Sequence, residues 1–373
     1  VEPGASLDVI VVAAVRHRSV NDAEPFVSPD TDWSPTDADL LERQCREYQS
    51  WFDDVPDLRS DMPLLDRAWA YRWYILRSTL AEPQLGALRG PVMYEGRSHK
   101  AVKDAWRPTG WEFSKLIPLS SPFHIVDLRW RADPTLGAAV MDSVAAVQGD
   151  DGQLYASTVR RPIKPYASWY GFAVAEFARV HGRRSVSDLA VATARRQVLG
   201  ERVALEAGPD ELPIQRDHKL TGKEYQPSYW AFDGFPDDPV DARWITPLKR
   251  VDRAVYQHLN ARGVAELDRA AGAHDIAIES IRDVTAASII ARMWDEGTGF
   301  FVDLRAADDE PARVRNVVGF YPWWAGIADK RHADGLRAAI GADAFGTTLP
   351  YPSTAADEVA FRPQGGWMGR FLK

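Results

Sequence analysis

The chain has 373 residues, and 45 Lys and Arg against 53 Asp and Glu leave a formal charge of −8. Hydrophobic residues make up 45% and charged residues 26%, enough to bury a full core and too apolar for a disordered chain. The acidic balance, with a pI near 5.6, argues against a nucleic-acid partner, and the single cysteine, Cys45, excludes a disulfide framework or a cysteine-rich zinc site.

Leu7 to Val15 (LDVIVVAAV) is a continuous apolar run after the turn-like Glu2-Pro3-Gly4 and predicts one buried strand. It is far shorter than the roughly 20 residues of a spanning helix, so no membrane partner is expected. It also lacks the basic leader and cleavage site of a signal peptide, and a single cysteine suits a reducing compartment, so a cytoplasmic location is expected. A lone strand is not stable. Residues 1–20 therefore read as the remnant of an N-terminal β domain, 21–35 as a Pro- and Asp-rich linker, and 36–373 as one helical domain.

From Thr36 the helical period dominates. One helix is predicted to about Phe52, and a second opens at Asp61-Met62-Pro63 with Leu65, Trp69, Trp73, Leu76 and Leu80 along one face. Further helical patterns cover 134–148, 167–181, 185–199, 248–272, 275–293 and 328–340, with Gly182, Gly200, Gly272 and Gly341 where helices should stop. Long aromatic, Gly- and Pro-rich loops alternate with them, and loops of that length usually carry function. No βαβ rhythm, dinucleotide fingerprint or fixed repeat is present. The pattern predicts an all-α ring of helical hairpins whose loops gather at one end.

Three loop segments hold candidate chemistry. Thr221-Gly222-Lys223-Glu224-Tyr225-Gln226-Pro227-Ser228-Tyr229-Trp230 places one carboxylate among aromatic rings, a setting that desolvates it and suits it to general-acid work. Gly319-Phe320-Tyr321-Pro322-Trp323-Trp324 is either core or a flat platform for a sugar ring, while Asp295 and Glu296 read as a hairpin turn. Trp111 to His124 could line a polar pocket, although a lone His beside Phe and Ile is commonly a structural residue. In Tyr94-Glu95-Gly96-Arg97, an ion pair and a substrate contact are equally open. Metalloprotease, hydrolase-elbow, Walker and EF-hand spacings are absent, so no metal or cofactor is expected and catalysis should rest on carboxylates.

In order, these segments resemble the (α/α)6-barrel glycosidases of glycoside hydrolase family 63 and the related mannosylglycerate or glucosylglycerate hydrolase and trehalase-like groups. Ser120-Ser121-Pro122-Phe123-His124, followed by a helix, Gln148 and Asp151-Gly152, is similar to the family's W-D-S-x-F-H and Q-x-x-D-G segments. Thr221 to Ser228 resembles its S-G-x-D-x-S-P-R segment, Trp294 to Asp303 its W-D-E turn, and Gly319 to Gly326 and Pro352 to Gly369 its last stretches. The resemblance implies a glycoside hydrolase that acts on a carbohydrate, cleaving the α-bond of a small glucoside, mannoside or oligosaccharide with inversion. Glu224 would stand as the general acid in place of the family's Asp. Glu95, Arg97, Trp111, His124, Tyr170, Gln226, Tyr229, Trp323, Trp324 and Trp367 would line the sugar site, with Glu95, Trp111, His124, Glu224, Gln226 and Trp323 expected in one cavity. The family's general base is a glutamate beyond the Trp367 segment, so the base is expected past Lys373 and the toroid to be incomplete. A carboxylate inside the chain, Glu95 or Glu112, is the alternative base. A non-catalytic carbohydrate-binding protein, a polysaccharide lyase and a sugar epimerase on the same fold stay open.

Overall fold

The computed structural model describes residues 37–84, 86–96, 100–102, 105–107, 115–236 and 244–363. The strand predicted at Leu7–Val15, the remnant over 1–20, the linker over 21–35, and the site candidates Arg97, Trp111 and Trp367 lie outside them, as does Glu112. The chain divides into two compact units, Val1–Leu58 and Arg59–Lys373. The first contains helix α1 (Asp37–Asp53), which carries the exposed Cys45.

The second unit is built from helices. In chain order they are α2 (Pro63–Thr79), α3 (Ser121–Leu128), α4 (Thr135–Ala145), α5 (Tyr170–His181), α6 (Asp188–Ala204), α7 (Val251–Ala270), α8 (Ile276–Ser288), α9 (Tyr321–Trp324) and α10 (Lys330–Ala339). The pairs α3/α4, α5/α6 and α7/α8 form hairpins, and α3, α5, α7 and α9 pack side by side in chain order. That is the predicted arrangement of an all-α toroid of helical hairpins. The strands are short. Four of them make an antiparallel sheet in the order Pro311–Ala312, Asp303–Arg305, Leu248–Lys249, Ile214–Gln215, which ties the loops before and after α7 together. No helix among the described residues is long and apolar enough to cross a membrane.

Helix α7 is the centre of this unit. Sixteen residues from Val251 to Asp268 are buried, on every side of the helix. A helix enclosed all round needs no apolar stripe, but each buried polar group must find a partner. Asn260 donates to the Ser168 carbonyl (3.0 Å) and accepts from the Gly171 N–H (2.9 Å), and Gln257 donates to the Val198 carbonyl (3.2 Å). Where α7 meets α5 the backbones nearly touch. A Cβ on Gly263 would stand 2.3 Å from the Gly171 carbonyl oxygen, a distance no side chain can relieve.

The helices depart most from the sequence reading at Gly200 and at α3. Gly182 and Gly272, both at positive φ, close α5 and α7 as expected. Gly200 does not stop α6, which runs on to Ala204. Its missing side chain serves contact instead, since a Cβ there would meet the Asp151 carbonyl oxygen at 2.2 Å. Helix α3 begins at Ser121 and so includes Phe123 and His124. Asp295 and Glu296 lie in a hairpin turn, where the Asp295 side chain accepts from the Thr298 N–H (2.8 Å) and from Arg313 Nε (3.1 Å).

Substitution Gly263→Ala is expected to destabilise the chain by about 1–3 kcal/mol or more, because the clash is with backbone. A urea midpoint equal to that of the unaltered chain, with unchanged slope, would contradict this packing.

Candidate active site

The loop 221–230 is held by charge. Lys223, Arg250 and Arg253 are buried facing Asp252, Asp303 and Glu201. Lys223 Nζ lies 3.1 Å from Asp252 Oδ2 and 3.0 Å from the Tyr256 hydroxyl. Arg250 Nε stands 3.3 Å from Asp252 and 3.7 Å from Asp303, and its Nη1 donates to the Tyr229 hydroxyl (2.8 Å). Asp303 also accepts from the Ser228 hydroxyl (2.6 Å) and from the Val251 N–H (2.8 Å) at the positive end of α7. Burial alone would raise Asp252, but Arg250, Lys223 and Arg253 hold it below its ordinary value. Asp303 goes the other way, because its burial outweighs Arg250.

With Lys223 anchored inward, the adjacent Glu224 points elsewhere. Gly222 (φ +69°) and Tyr225 (φ +66°) both take the left-handed conformation on either side of the Lys223-Glu224 pair. For a tyrosine that conformation costs roughly 1–3 kcal/mol. Two contacts hold it, the Tyr225 N–H on His218 Nδ1 (3.3 Å) and the two rings at 4.8 Å. The half-buried Glu224 accepts a hydrogen bond from the Tyr166 hydroxyl at 3.0 Å. Tyr166 is pinned to the same loop by the Ala167 N–H on the Leu220 carbonyl (2.9 Å). Burial raises its phenol, and the charges of Glu224 and Glu95 raise it further.

Glu95 reaches this place from the other side. Burial raises its carboxyl, Ser120 and the Lys115 charge oppose the rise and the Glu224 charge adds to it, and the Ser120 hydroxyl itself donates to the Ile117 carbonyl at 3.1 Å. The segment before α3 touches the 221–230 loop, since a Cβ on Gly222 would lie 2.2 Å from Leu119 Cδ2 and 3.1 Å from Tyr166 Cε1. Burial by its neighbours raises Glu95 although its side chain keeps solvent exposure. Both hold for a group at the rim of a wall, crowded on one side and open on the other.

Next to this polar wall lies an aromatic cavity of about 460 Å³. Phe123 from the first turn of α3, Trp169 at the cap of α5, Tyr256 of α7, and Tyr321 and Trp324 of α9 are among its lining, so the N-terminal ends of four neighbouring helices meet there. Trp324 packs edge-on against Trp169 at 5.4 Å and is 46% exposed. The buried Trp169 Nε1 makes no hydrogen bond among the described residues. Lys223 sits behind Tyr256 and Tyr321, 5.0 and 5.7 Å from their ring centres, and so links the cavity to the loop that bears Glu224.

Of the expected site residues, Glu95 lies within electrostatic reach of Glu224, and Trp324 lines the aromatic cavity. Trp323 is exposed and is not part of the cavity lining. Tyr170 and Tyr229 do not line a sugar site from where they stand. Both are fully buried, and their hydroxyls are engaged by the Met141 carbonyl (3.0 Å) and Arg250. His124 is buried on α3, where burial and the Arg72 charge push it down to about 3, so its ring is neutral. Gln226 is fully enclosed, and its amide makes no hydrogen bond among the described residues. Tyr166, Ser120 and Lys115 were not singled out in the sequence as site residues. The one available sign was the position of Tyr166 after a proline-bounded strand (Pro162–Pro165). Among the described residues, no group of three or more His, Cys, Asp or Glu could hold a metal ion.

The sequence family described as the mannosylglycerate hydrolase MGH1-like glycoside hydrolase domain matches residues 177–371. No curated protein matches the sequence. Among solved structures, a sialidase superposes with a TM-score of 0.64 at 18% identity, over 87% of this chain but 27% of its own, so this chain spans about a quarter of it. The family 63 mannosylglycerate hydrolase of Thermus thermophilus, solved in complex with glucose, superposes with a TM-score of 0.58 at 16% identity, over 81% of this chain and 83% of its own. An uncharacterized conserved protein of the same organism gives 0.58 at 17% identity, over 81% and 82%. At such identities the likeness is one of fold.

Two expectations follow from the buried groups. Asp252→Asn leaves Lys223 and Arg250 short of a counter-charge and should cost about 3–5 kcal/mol, read as a lowered urea midpoint. His124 binds a proton below pH 6.5 when unfolded but only near pH 3 when folded, so the unfolded chain holds more protons in between and stability rises with pH across that window. Acidification from pH 6.5 should therefore cost about 1.4 kcal/mol per pH unit from this residue. His124→Gln should flatten the dependence of Tm on pH, and an unchanged slope would show that another group carries it.

Proposed function

This chain belongs to the family of mannosylglycerate hydrolase MGH1-like glycoside hydrolase domains, and from that premise we propose that its site hydrolyses the α-glycosidic bond of a small glucoside or mannoside with inversion. The observation that carries the reading is the placement of Glu224. Its carboxyl is half-buried, bonded to the Tyr166 hydroxyl (3.0 Å) and within electrostatic reach of a second carboxyl, Glu95, and the adjacent Lys223 packs against two rings of the aromatic cavity. All of these groups belong to the unit Arg59–Lys373.

Glu224 is the general acid. The Tyr166 hydroxyl fixes one carboxyl oxygen and leaves the other to reach the leaving oxygen as the glycosidic bond breaks. The faces of Phe123 and Trp324 receive the C–H faces of the sugar, and the buried Trp169 packs edge-on against both and fixes them. A hexose is the substrate unit we assign, in keeping with the glucose bound by the Thermus thermophilus hydrolase of like fold.

Glu224→Gln is expected to lower kcat on an alkyl α-glucoside or α-mannoside by about 10²–10⁴-fold, with a smaller change in KM. NMR of the first-formed sugar should show the β anomer. Unchanged turnover by Glu224→Gln would sink the acid assignment, and an α product would sink inversion.

A further inference from the structure

The rings of the aromatic cavity fall into two groups. Phe123 and Trp324 pack edge-on against Trp169 at 4.8 and 5.4 Å, and Tyr351 stands edge-on to Phe320 at 6.3 Å. Trp169 and Tyr256 are buried, whereas Phe123, Trp324, Ile340 and Tyr351 are exposed, so these four make the mouth. Among the described residues, no side chain of the lining carries a charge.

Tyr351 is kept at this mouth against its backbone preference. Its φ of +58° is left-handed, which a tyrosine side chain disfavours, and the following Pro352 disfavours it again by pushing its predecessor toward extended backbone. Of the six non-glycine residues at positive φ among the described residues, Tyr351 alone lines the cavity. Bonds on both sides hold the turn. The Tyr351 N–H donates to the Phe345 carbonyl (2.7 Å), the Val317 N–H to the Ser353 carbonyl (2.9 Å), and the Thr354 hydroxyl to Asn316 (3.2 Å). Strain that its surroundings sustain at the mouth of a cavity marks a side chain held out for a ligand.

We propose that Tyr351 is a specificity-determining residue whose ring stacks on the leaving group and selects a neutral, cyclic one; the proposal rests on the hydrolytic reading above. The rings around Trp169 take the hexose. A cavity of about 460 Å³ is roomier than one pyranose ring and leaves space beside Phe320 and Tyr351 for a second ring. A charged, acyclic leaving group would lose water there without gaining a partner. Lys223 does not supply one, since it lies behind Tyr256 and Tyr321 and is matched by Asp252 at 3.1 Å.

The test uses the 373-residue chain with methyl and cyclohexyl α-D-glucopyranosides and α-D-mannopyranosides, whose alkoxides leave with similar ease, and with mannosylglycerate. The unaltered chain should favour the cyclohexyl glycoside over the methyl one by about 3–10-fold in kcat/KM, and over mannosylglycerate as well. That cyclohexyl-to-methyl ratio should fall to near 1 in Tyr351→Ala and Tyr351→Gly and persist in Tyr351→Phe. A second readout is independent of activity. Both small variants lack the ring but only glycine relieves the backbone, so Tyr351→Gly should unfold at a higher urea concentration than Tyr351→Ala. No cyclohexyl preference in the unaltered chain, a preference that survives loss of the ring, mannosylglycerate favoured over the cyclohexyl glycosides, or equal urea midpoints overturns the proposal. If Tyr351→Ala misfolds by circular dichroism, its activity arm passes to Tyr351→Gly, and the urea comparison to Tyr351→Gly against Tyr351→Phe. If the unaltered chain hydrolyses none of the five, the hydrolytic reading fails by itself, and tryptophan fluorescence titration with the same glycosides decides. Cyclohexyl glycoside bound about 3–10-fold more tightly than methyl, with the difference lost in Tyr351→Gly, supports the role of Tyr351, and equal or absent binding overturns it.

Discussion

Six buried charges, Arg250 among them, decide where the loop 221–230 goes. Taking Lys223, Arg250, Arg253, Asp252, Asp303 and Glu201 out of water costs several kcal/mol per ion, and mutual attraction offsets this only when each partner is in place. The partners come from the 221–230 loop, the first turn of α7, the strand Asp303–Arg305 and helix α6. Such a cluster gives little net stability compared with a well-packed apolar core. What it gives here is register, because the loop cannot shift by a residue without stranding a charge. The left-handed Tyr225 is sustained by that constraint, and the direction of Glu224 is its consequence.

The sequence disclosed the helices because hydrophobic period survives without knowledge of partners. It disclosed Glu224 because a carboxylate between Gly222 and Pro227, among Tyr225, Tyr229 and Trp230, is a local pattern. The rest was hidden for particular reasons. Helix α3 has only eight residues, too few for a period to show. Gly200 looks like a stop signal in one dimension and proves to be a contact with Asp151 in three. Tyr170 and Tyr229 share the composition of a sugar site, but only the fold shows their hydroxyls already engaged. Tyr166 and Glu224 are 58 residues apart, and no local spacing joins them. Arg253 and Glu201 were equally invisible, since a buried ion pair leaves no trace in the sequence of either helix.

The site also separates two physical environments along one set of helix ends. Phe123, Trp169, Tyr256, Tyr321 and Trp324 make an apolar recess, where a hydroxyl without a donor or acceptor would lose affinity. The polar wall a few residues away, with Tyr166, Glu95 and Glu224, keeps Glu224 bonded to the Tyr166 hydroxyl and leaves Glu95 exposed. Lys223 joins the two, because its ammonium lies against Tyr256 and Tyr321 while its backbone carries Glu224. A change that repacks those tyrosines therefore shifts the backbone that carries Glu224. Recess and wall are coupled through one buried cation, so the packing of the recess and the direction of Glu224 are a single mechanical problem in this fold.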